Sequence, residues 1–482
     1  MSADLLDEYG VAAHARIRGH KIALASAEGT ITYAELDRSI WEAARALREL
    51  GVGPERRLGL ALRNRPEWMI AAMAAARIGA QCVPIPSGAT ADEREYFCTD
   101  GEVAYLLEEA NLDDFADAAA KQSTDPLDDP FPDYVRLRAY TSGTTGHPKA
   151  VLRPPADPVP AMEGLIRYYG AYGIGGVDEI NITASPIHHL AGFSGPHSAL
   201  LLGHTTFILD HFDAREWLAT VDRERVTYTW CAPVHLYRLM QVPAAERARY
   251  DVSSIKRVLH GSAPCAPTLK REVMEFFPEG AVWETYGGTE TMGTVISAEE
   301  WLAKPGSVGR AAPGSTIKIY DDDGVELAPG EVGLVYIGSD WGRGFRYAGP
   351  EELTTAVYRG NLATLGDLGY LDEDGYLFIV DRRKDMVITG GANVYPAEVE
   401  AVLMDHPGIA EVAVLGMPDE EYGERVTAVV VAGRPVTADD VMAFAREHLV
   451  AYKSPRRVEF VDSLPRDPMG KVRKRELRDQ LA

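Results

Sequence analysis

The sequence predicts an α/β protein: a large N-terminal domain of α/β subdomains, a β-rich subdomain, and a small α+β domain at the C-terminus. Three observations carry this. The first hundred residues alternate helical and strand patterns, which argues for largely buried strands joined by helices. The segment Ile317 to Leu377 has short alternating strands separated by turns such as Asp321-Asp-Asp-Gly324 and Asp372-Glu-Asp-Gly375. Beyond Asp381-Arg-Arg-Lys-Asp385 the pattern becomes compact and mixed through to Ala482. A chain of 482 residues also exceeds one simple core and fits about two to four compact units.

The elements follow in order. Thr32-Tyr-Ala-Glu35 reads as a capping box, each side chain satisfying a free amide at a helix start. Leu36, Ile40 and Leu47 continue at helical spacing and Gly51 supplies the stop. A strand (Leu58 to Leu62), an alanine-rich helix (Glu67 to Arg77) and a second strand (Gln81 to Ile85) come next. The acidic, proline-bearing stretch Ser123 to Asp133 reads as a solvated connector, and Arg153 to Pro160 as a loop. There is no internal repeat and no low-complexity tract.

Apolar residues at 46% and charged residues at 25% exclude wholesale disorder. Lys and Arg total 49 against 72 Asp and Glu, a net charge of -23, which repels DNA, RNA and anionic lipid. Nucleic acid is therefore not an expected partner, and any anionic ligand needs a local positive site. Cys82, Cys98, Cys231 and Cys265 lie far apart with no CxxC pair, neither a disulfide framework nor a zinc pattern, so a reducing cytoplasm is expected. The acidic N-terminus lacks the order of a signal peptide. The most apolar stretch, Trp68 to Ile85, is broken by Arg77, Gly79, Gln81 and Pro84, so no membrane span is expected.

Chemistry concentrates in Tyr140-Thr-Ser-Gly-Thr-Thr-Gly-His-Pro-Lys-Ala150. Glycines at 143 and 146 let the backbone curl, so that amides and the hydroxyls of Thr141, Ser142, Thr144 and Thr145 converge on phosphate oxygens. Gly143 belongs to that cradle and Lys149 adds a positive charge. The spacing is not G-x-x-x-x-G-K-[ST], which disfavours a Walker-type NTPase. Further motifs are Glu284-Thr-Tyr-Gly-Gly-Thr-Glu290, Gly366-Asp367, Asp381-Arg382 with Lys384, Gly390-Gly391 and Pro465-Arg-Asp-Pro-Met-Gly-Lys471. Together, in order and across nearly the whole chain, they resemble the adenylate-forming superfamily of acyl-CoA synthetases, peptide-synthetase adenylation domains and firefly luciferase.

The resemblance implies an AMP-forming acyl-CoA synthetase that uses ATP, Mg2+ and coenzyme A. An N-terminal domain (1–381) would hold ATP and the acid, with a hinge at 382–384 centred on Lys384. A mobile C-terminal domain (385–482) would carry the catalytic Lys471. Glu290 is implied as the magnesium carboxylate, with Thr145 in support, and Thr289 as a hydrogen-bond donor to the α-phosphate. Tyr286 would face the adenine, Ser262, Ala263 and Pro264 would form the opposite wall, and Glu284 would accept from the adenine amino group. Thr285 and Gly287 complete that motif. Asp367 would hold the ribose hydroxyls, although Thr364-Leu-Gly-Asp367 carries a leucine that many relatives lack. Arg382 would touch the nucleotide. Gly390 and Gly391 would admit the pantetheine arm of CoA.

Pro186-Ile-His-His-Leu-Ala-Gly-Phe193 resembles the segment that gates the acyl pocket, with His189 at the gate and His188 structural. Ala191 stands where many relatives carry a ring, Trp230 lines the same pocket, and Gly261, Gly287 and Gly288 add no side chain to narrow it. The acid expected is bulky and mostly apolar, polycyclic first and a longer fatty or aryl acid second, with acetate poor. Thr389 to Glu400 looks more like the CoA-ligase form than the carrier-protein form. The readings left beside it are an enzyme that loads a carrier protein, a luciferase-like oxygenase, and a non-catalytic nucleotide-binding protein. A homodimer is a further implication of the family.

Overall fold

The computed structural model of the chain describes residues 5–128, 131–141, 148–154, 157–339, 344–467 and 470–481. Among these residues the strands form five sheets. In the largest, six parallel strands run in the spatial order Val282–Gly287, Arg257–His260, Tyr228–Cys231, Ile180–Thr183, Thr205–Ile208 and Ile22–Ser26. Antiparallel strands close its edges: Gly29–Thr32 on one side, and Met292–Ser297 followed by Arg310–Ala311 on the other. A second, all-parallel sheet has the order Val103–Glu108, Arg57–Ala61, Gln81–Pro84, Arg136–Leu137.

The helices Tyr33–Glu49 and Pro66–Arg77 pack into one core with strands of both sheets, burying Leu36, Ile40, Leu47, Trp68 and Met73 against Leu24, Leu58 and Leu60. The first helix starts where its sequence says: Thr32 Oγ1 accepts from the Glu35 amide, and the Thr32 amide donates to Glu35. The same reciprocal cap recurs at Thr90 with Glu93, Ser297 with Glu300, and Thr437 with Asp440.

One part of the connector Ser123 to Asp133 is not solvated. Asp133 turns inward and accepts from Arg77 Nε at 2.7 Å and from the Ala12 amide at 3.0 Å. The fully buried Arg77 also pairs with Asp37 and lies 4.2 Å over the Trp41 ring. A buried guanidinium must be paired, and the acidic connector supplies the partner.

The β-rich subdomain is the sheet Ser315–Tyr320, Gly333–Ser339, Leu362–Leu371, Tyr358–Arg359, with Leu377–Arg382 paired to Leu362–Leu371. The chain leaves this sheet at Arg382 and enters another at Val387, through residues 383–386. That last sheet has Gly423–Ala432 at its centre, paired along its length with the edge strand Ile409–Asp419, and is covered by the helices Pro396–Met404 and Ala438–His448. The fifth sheet is small: Ala139–Thr141 and Lys149–Leu152 pair antiparallel, and Arg346–Tyr347 joins them. No helix among the described residues is long and apolar enough to cross a membrane.

Asp133→Ala leaves Arg77 short of a buried partner, and we expect it to destabilise the N-terminal domain by about 3–5 kcal/mol. Urea unfolding followed by tryptophan fluorescence measures this; an unchanged midpoint removes Asp133 from the core.

Candidate active site

The carboxyl ends of parallel strands leave backbone groups and loops free to converge, which is where open α/β sheets take their ligands. Here the ends of Tyr228–Cys231, Arg257–His260 and Val282–Gly287 open into one cavity of about 2480 Å³. Its walls come from the N-terminal sheets and from the C-terminal loop that carries Lys471.

On one side of the cavity lie Thr141, Ser262, Ala263, Pro264 and the run from Thr285 to Glu290. Ser262 has φ 70, a left-handed conformation rare outside glycine, which sharply turns the chain after the strand Arg257–His260. Tyr286 donates its hydroxyl to Asp367 at 2.7 Å, and Arg382 Nε lies 3.2 Å from the other Asp367 oxygen. Asp367 and Arg382 face each other across paired strands, so the β-rich sheet itself sets this contact. Asp367 is buried behind Tyr286 and Arg382, and does not itself line the cavity.

Glu290 accepts from the Tyr347 hydroxyl at 2.9 Å on Oε1, while Oε2 has no hydrogen bond among the described residues. A lone carboxylate with a free oxygen suits Mg2+, which completes its shell with phosphate oxygens and water. Lys149 Nζ stands 5.6 Å over the Tyr347 ring, behind the cavity wall. The expected phosphate-cradle residues Ser142, Gly143, Thr144 and Thr145 lie outside the described residues.

Lys471 reaches the same cavity from the C-terminal domain. Its amide donates to Asp467 Oδ1 at 2.9 Å, and its carbonyl accepts from the Asp467 amide at 2.9 Å, a tight turn that fixes the lysine's direction. Burial and the nearby Arg382 charge pull its pKa down, while Asp467, Asp367 and Glu290 oppose this. Gly470, at φ 81, leaves no room for a side chain: a β-carbon there would lie 2.7 Å from the Val234 side chain. Lys384, at the crossing between sheets, also lines the cavity, and burial lowers its pKa.

The same cavity is lined by His188, His189, Ala191 and Trp230, with His189 within electrostatic reach of Lys471. His189 caps the helix Leu190–Leu202, and both histidine rings leave Nε2 without a partner among the described residues. The ring centroids are 4.4 Å apart. Burial keeps both neutral, pushing His188 down to about 3. His188 is thus as much a wall residue as His189. Beyond them a chain of edge-on rings, Tyr168, Tyr169, Tyr172, Tyr228 and Trp283, lines the cavity.

Several expectations are corrected. Glu284 is not free to meet an adenine. It is buried and accepts from Lys270 Nζ at 2.5 Å, and Lys270 in turn lies 4.7 Å from the Trp301 ring centre. Gly261 does not line the cavity, whereas Gly287 does, and both are held small by the backbone: a β-carbon would lie 2.5 Å from the Thr285 carbonyl oxygen and 2.7 Å from that of Thr291. A β-carbon at Gly288 would stand 3.0 Å from Glu290 Oε2. Gly390 and Gly391 do not line the cavity. They form the turn between the strands Val387–Thr389 and Ala392–Val394, with φ 57 and 82, a conformation that calls for glycine by itself.

Sequence reasoning missed Arg153, Tyr347 and Asp467. Asp467 lies within the Pro465 to Lys471 motif, but its hydrogen bond to the lysine four residues later is not visible in the sequence. Tyr347 comes from a distant strand and carried no signal. Arg153 had been absorbed into a loop.

The comparisons with known proteins follow this geometry. Residues 11–342 match the AMP-binding enzyme family and residues 398–471 the AMP-binding enzyme C-terminal domain. An indoleacetate–CoA ligase of Aromatoleum aromaticum is 31% identical over 511 residues, 97% of each chain. A fatty acid–acyl-carrier-protein ligase of Streptomyces coeruleorubidus is 31% identical over 94% of this chain and 92% of its own. The solved o-succinylbenzoate CoA synthetase from Bacillus subtilis, in complex with an acyl-adenylate intermediate, superposes with a TM-score of 0.84 at 28% identity, covering 98% of this chain and 97% of that one. The same enzyme with ATP and a magnesium ion gives 0.85. The chain belongs to the AMP-binding enzyme family of the adenylate-forming superfamily, and it is an ATP-dependent acyl-CoA synthetase, an AMP-forming acid–thiol ligase.

Proposed function

We propose that this synthetase activates a bulky, mostly apolar carboxylic acid, with Lys471 bridging the acid and the α-phosphate during adenylation. The observation that carries the proposal is a single cavity lined both by Lys471, Arg382, Thr289 and Glu290 and by an aromatic wall. Two anions must meet in the first step, and an ammonium on a long stem spreads the charge that develops between them. Thr289 and Tyr286 would hold the α-phosphate and the adenine, Glu290 the metal, and Arg382 the nucleotide. Asp367 would reach the ribose from behind, in exchange for one of its present partners.

The aromatic wall supports the choice of acid. Rings locked edge-on are rigid, so the pocket does not collapse around a small acid, and unfilled apolar surface forfeits about 25 cal/mol per Å². Ala191 on the cavity wall leaves room beside His188 and His189. A polycyclic or aryl acid fits such walls better than a flexible chain.

Lys384 would serve as the hinge for the second step, turning Lys471 out and the Gly390-Gly391 turn toward the thioester site. A site between domains 1–381 and 385–482 that serves two reactions in turn needs such a pivot. Because that turn requires glycine on conformational grounds, loss of activity on substitution there is not by itself a sign of CoA contact.

Three outcomes are expected. Lys471→Ala slows acyl-adenylate formation by about a hundredfold or more while thioester formation from supplied acyl-adenylate survives; equal damage to both half-reactions contradicts the role. Glu290→Gln raises the magnesium concentration needed for half-maximal adenylation, and an unshifted titration removes Glu290 from the metal. In a panel of acetate, benzoate, octanoate and a polycyclic acid, the largest acids give the highest kcat/KM. Ala191→Phe costs those acids about tenfold or more, and a preference for acetate overturns the reading.

A further inference from the structure

Among the cations that line the cavity, Arg153 is hydrogen-bonded directly to the backbone of the proposed α-phosphate residue, and the reaction described above leaves it unused. Arg153 follows the strand Lys149–Leu152 and lines the cavity. Among the described residues its one hydrogen bond runs from Nη2 to the Thr289 carbonyl oxygen at 2.7 Å. Among the described residues no carboxylate comes within ion-pair distance of it, although Glu290, Tyr134 and Tyr358 act on it electrostatically. A guanidinium offers five donors and never gives up its charge. Arg153 is exposed toward the cavity. A guanidinium with donors to spare, open to a ligand cavity, is completed by an anion.

Its position says which anion. The hydrogen bond to Thr289 places the guanidinium beside the backbone of the proposed α-phosphate residue and next to Glu290, the carboxylate proposed for magnesium. The acid end in the proposed reading is marked by His188, His189 and Ala191, with His189 within electrostatic reach of Lys471. In phosphoryl-type transfer the attacking and leaving oxygens lie in line on opposite sides of phosphorus. With the acid entering from the histidine side, the leaving group departs on the Glu290 side.

We propose that Arg153 binds the pyrophosphate leaving group, taking the β- and γ-phosphoryl oxygens of ATP with the guanidinium donors that face the cavity. In that step a carboxylate oxygen of the acid bonds to the α-phosphorus. The bond from the α-phosphorus to the bridging oxygen breaks, the electron pair stays on pyrophosphate, and no proton moves. Arg153 meets the charge that accumulates on that bridging oxygen and its phosphates, whereas Lys471 meets the charge at the point of attack. The assignment rests on the adenylation reading given above.

The test uses the full chain and inorganic pyrophosphate. In the wild type, ATP formation from acyl-adenylate and pyrophosphate is measured against pyrophosphate concentration, and CoA thiolysis of the same acyl-adenylate serves as the companion reaction. Arg153→Gln is expected to raise the KM for pyrophosphate about tenfold or more, with thiolysis within about twofold of wild type. Arg153→Lys keeps the charge and is expected to recover part of the loss. An unchanged pyrophosphate KM in Arg153→Gln overturns the assignment. So does a rise in the KM for the acid alone, which would give Arg153 to a second carboxylate on the substrate. An equal loss of both reactions in both variants, at an unchanged melting temperature, overturns it as well. If the wild type makes no ATP from pyrophosphate, the adenylation reading itself falls, and Arg153 with it.

Discussion

The contact on which the rest of the site depends is the carboxylate of Asp367, shared between the Tyr286 hydroxyl and the Arg382 guanidinium. Tyr286 belongs to the large parallel sheet, Asp367 to the β-rich sheet, and Arg382 to the last strand before the chain crosses into the C-terminal domain. Three separately folded layers thus meet on two oxygens. The carboxylate is buried, while the Arg382 side chain stays partly exposed, so the arginine side of the contact remains open to a ligand. Move any one layer, and the tyrosine face, the arginine and the path toward Lys471 shift together.

Electrostatics gives the cavity its second constraint. The chain carries a net charge of -23, yet Arg153, Arg382, Lys384 and Lys471 all border one space. An acidic protein that handles anions must concentrate cations where the anion is to bind, against the repulsion of its overall charge. Burial lowers the pKa of Arg153, Lys384 and Lys471 alike, each crowded by neighbours of its own sign or by lost solvent. Such a group of like charges is costly until an anion arrives, and the nucleotide supplies several.

Much of this was legible in the sequence, for reasons that differ by residue. The capping box at Thr32 and Glu35 and the glycine turns are local rules, readable within four residues. Lys471, Glu290 and Thr289 were legible because their motifs are ordered along the chain, and the cavity holds all three. What escaped is non-local. Glu284 looked like an adenine acceptor until Lys270, fourteen residues earlier, turned out to hold it in the core. Asp133 looked solvated because its partner Arg77 lies 56 residues away. Gly261 looked like spare room, though the Thr285 carbonyl already occupies the place of its missing β-carbon. A glycine read from sequence does not say whether the space beside it is empty or already taken.

The close seat of Gly470 on Val234 has a consequence for timing. Val234 lies on the helix Pro233–Met240, which also borders the cavity, and the fit leaves nothing to compress. On the proposed alternation, Gly470 must return to this same seat each time, and an acid that protrudes past Val234 would compete with it. Two acids with equal dissociation constants would then leave as thioesters at unequal rates, set by how often the lysine arrives while each is bound. Selection against oversize acids becomes a matter of dwell time rather than affinity, and a binding assay alone would rank them wrongly.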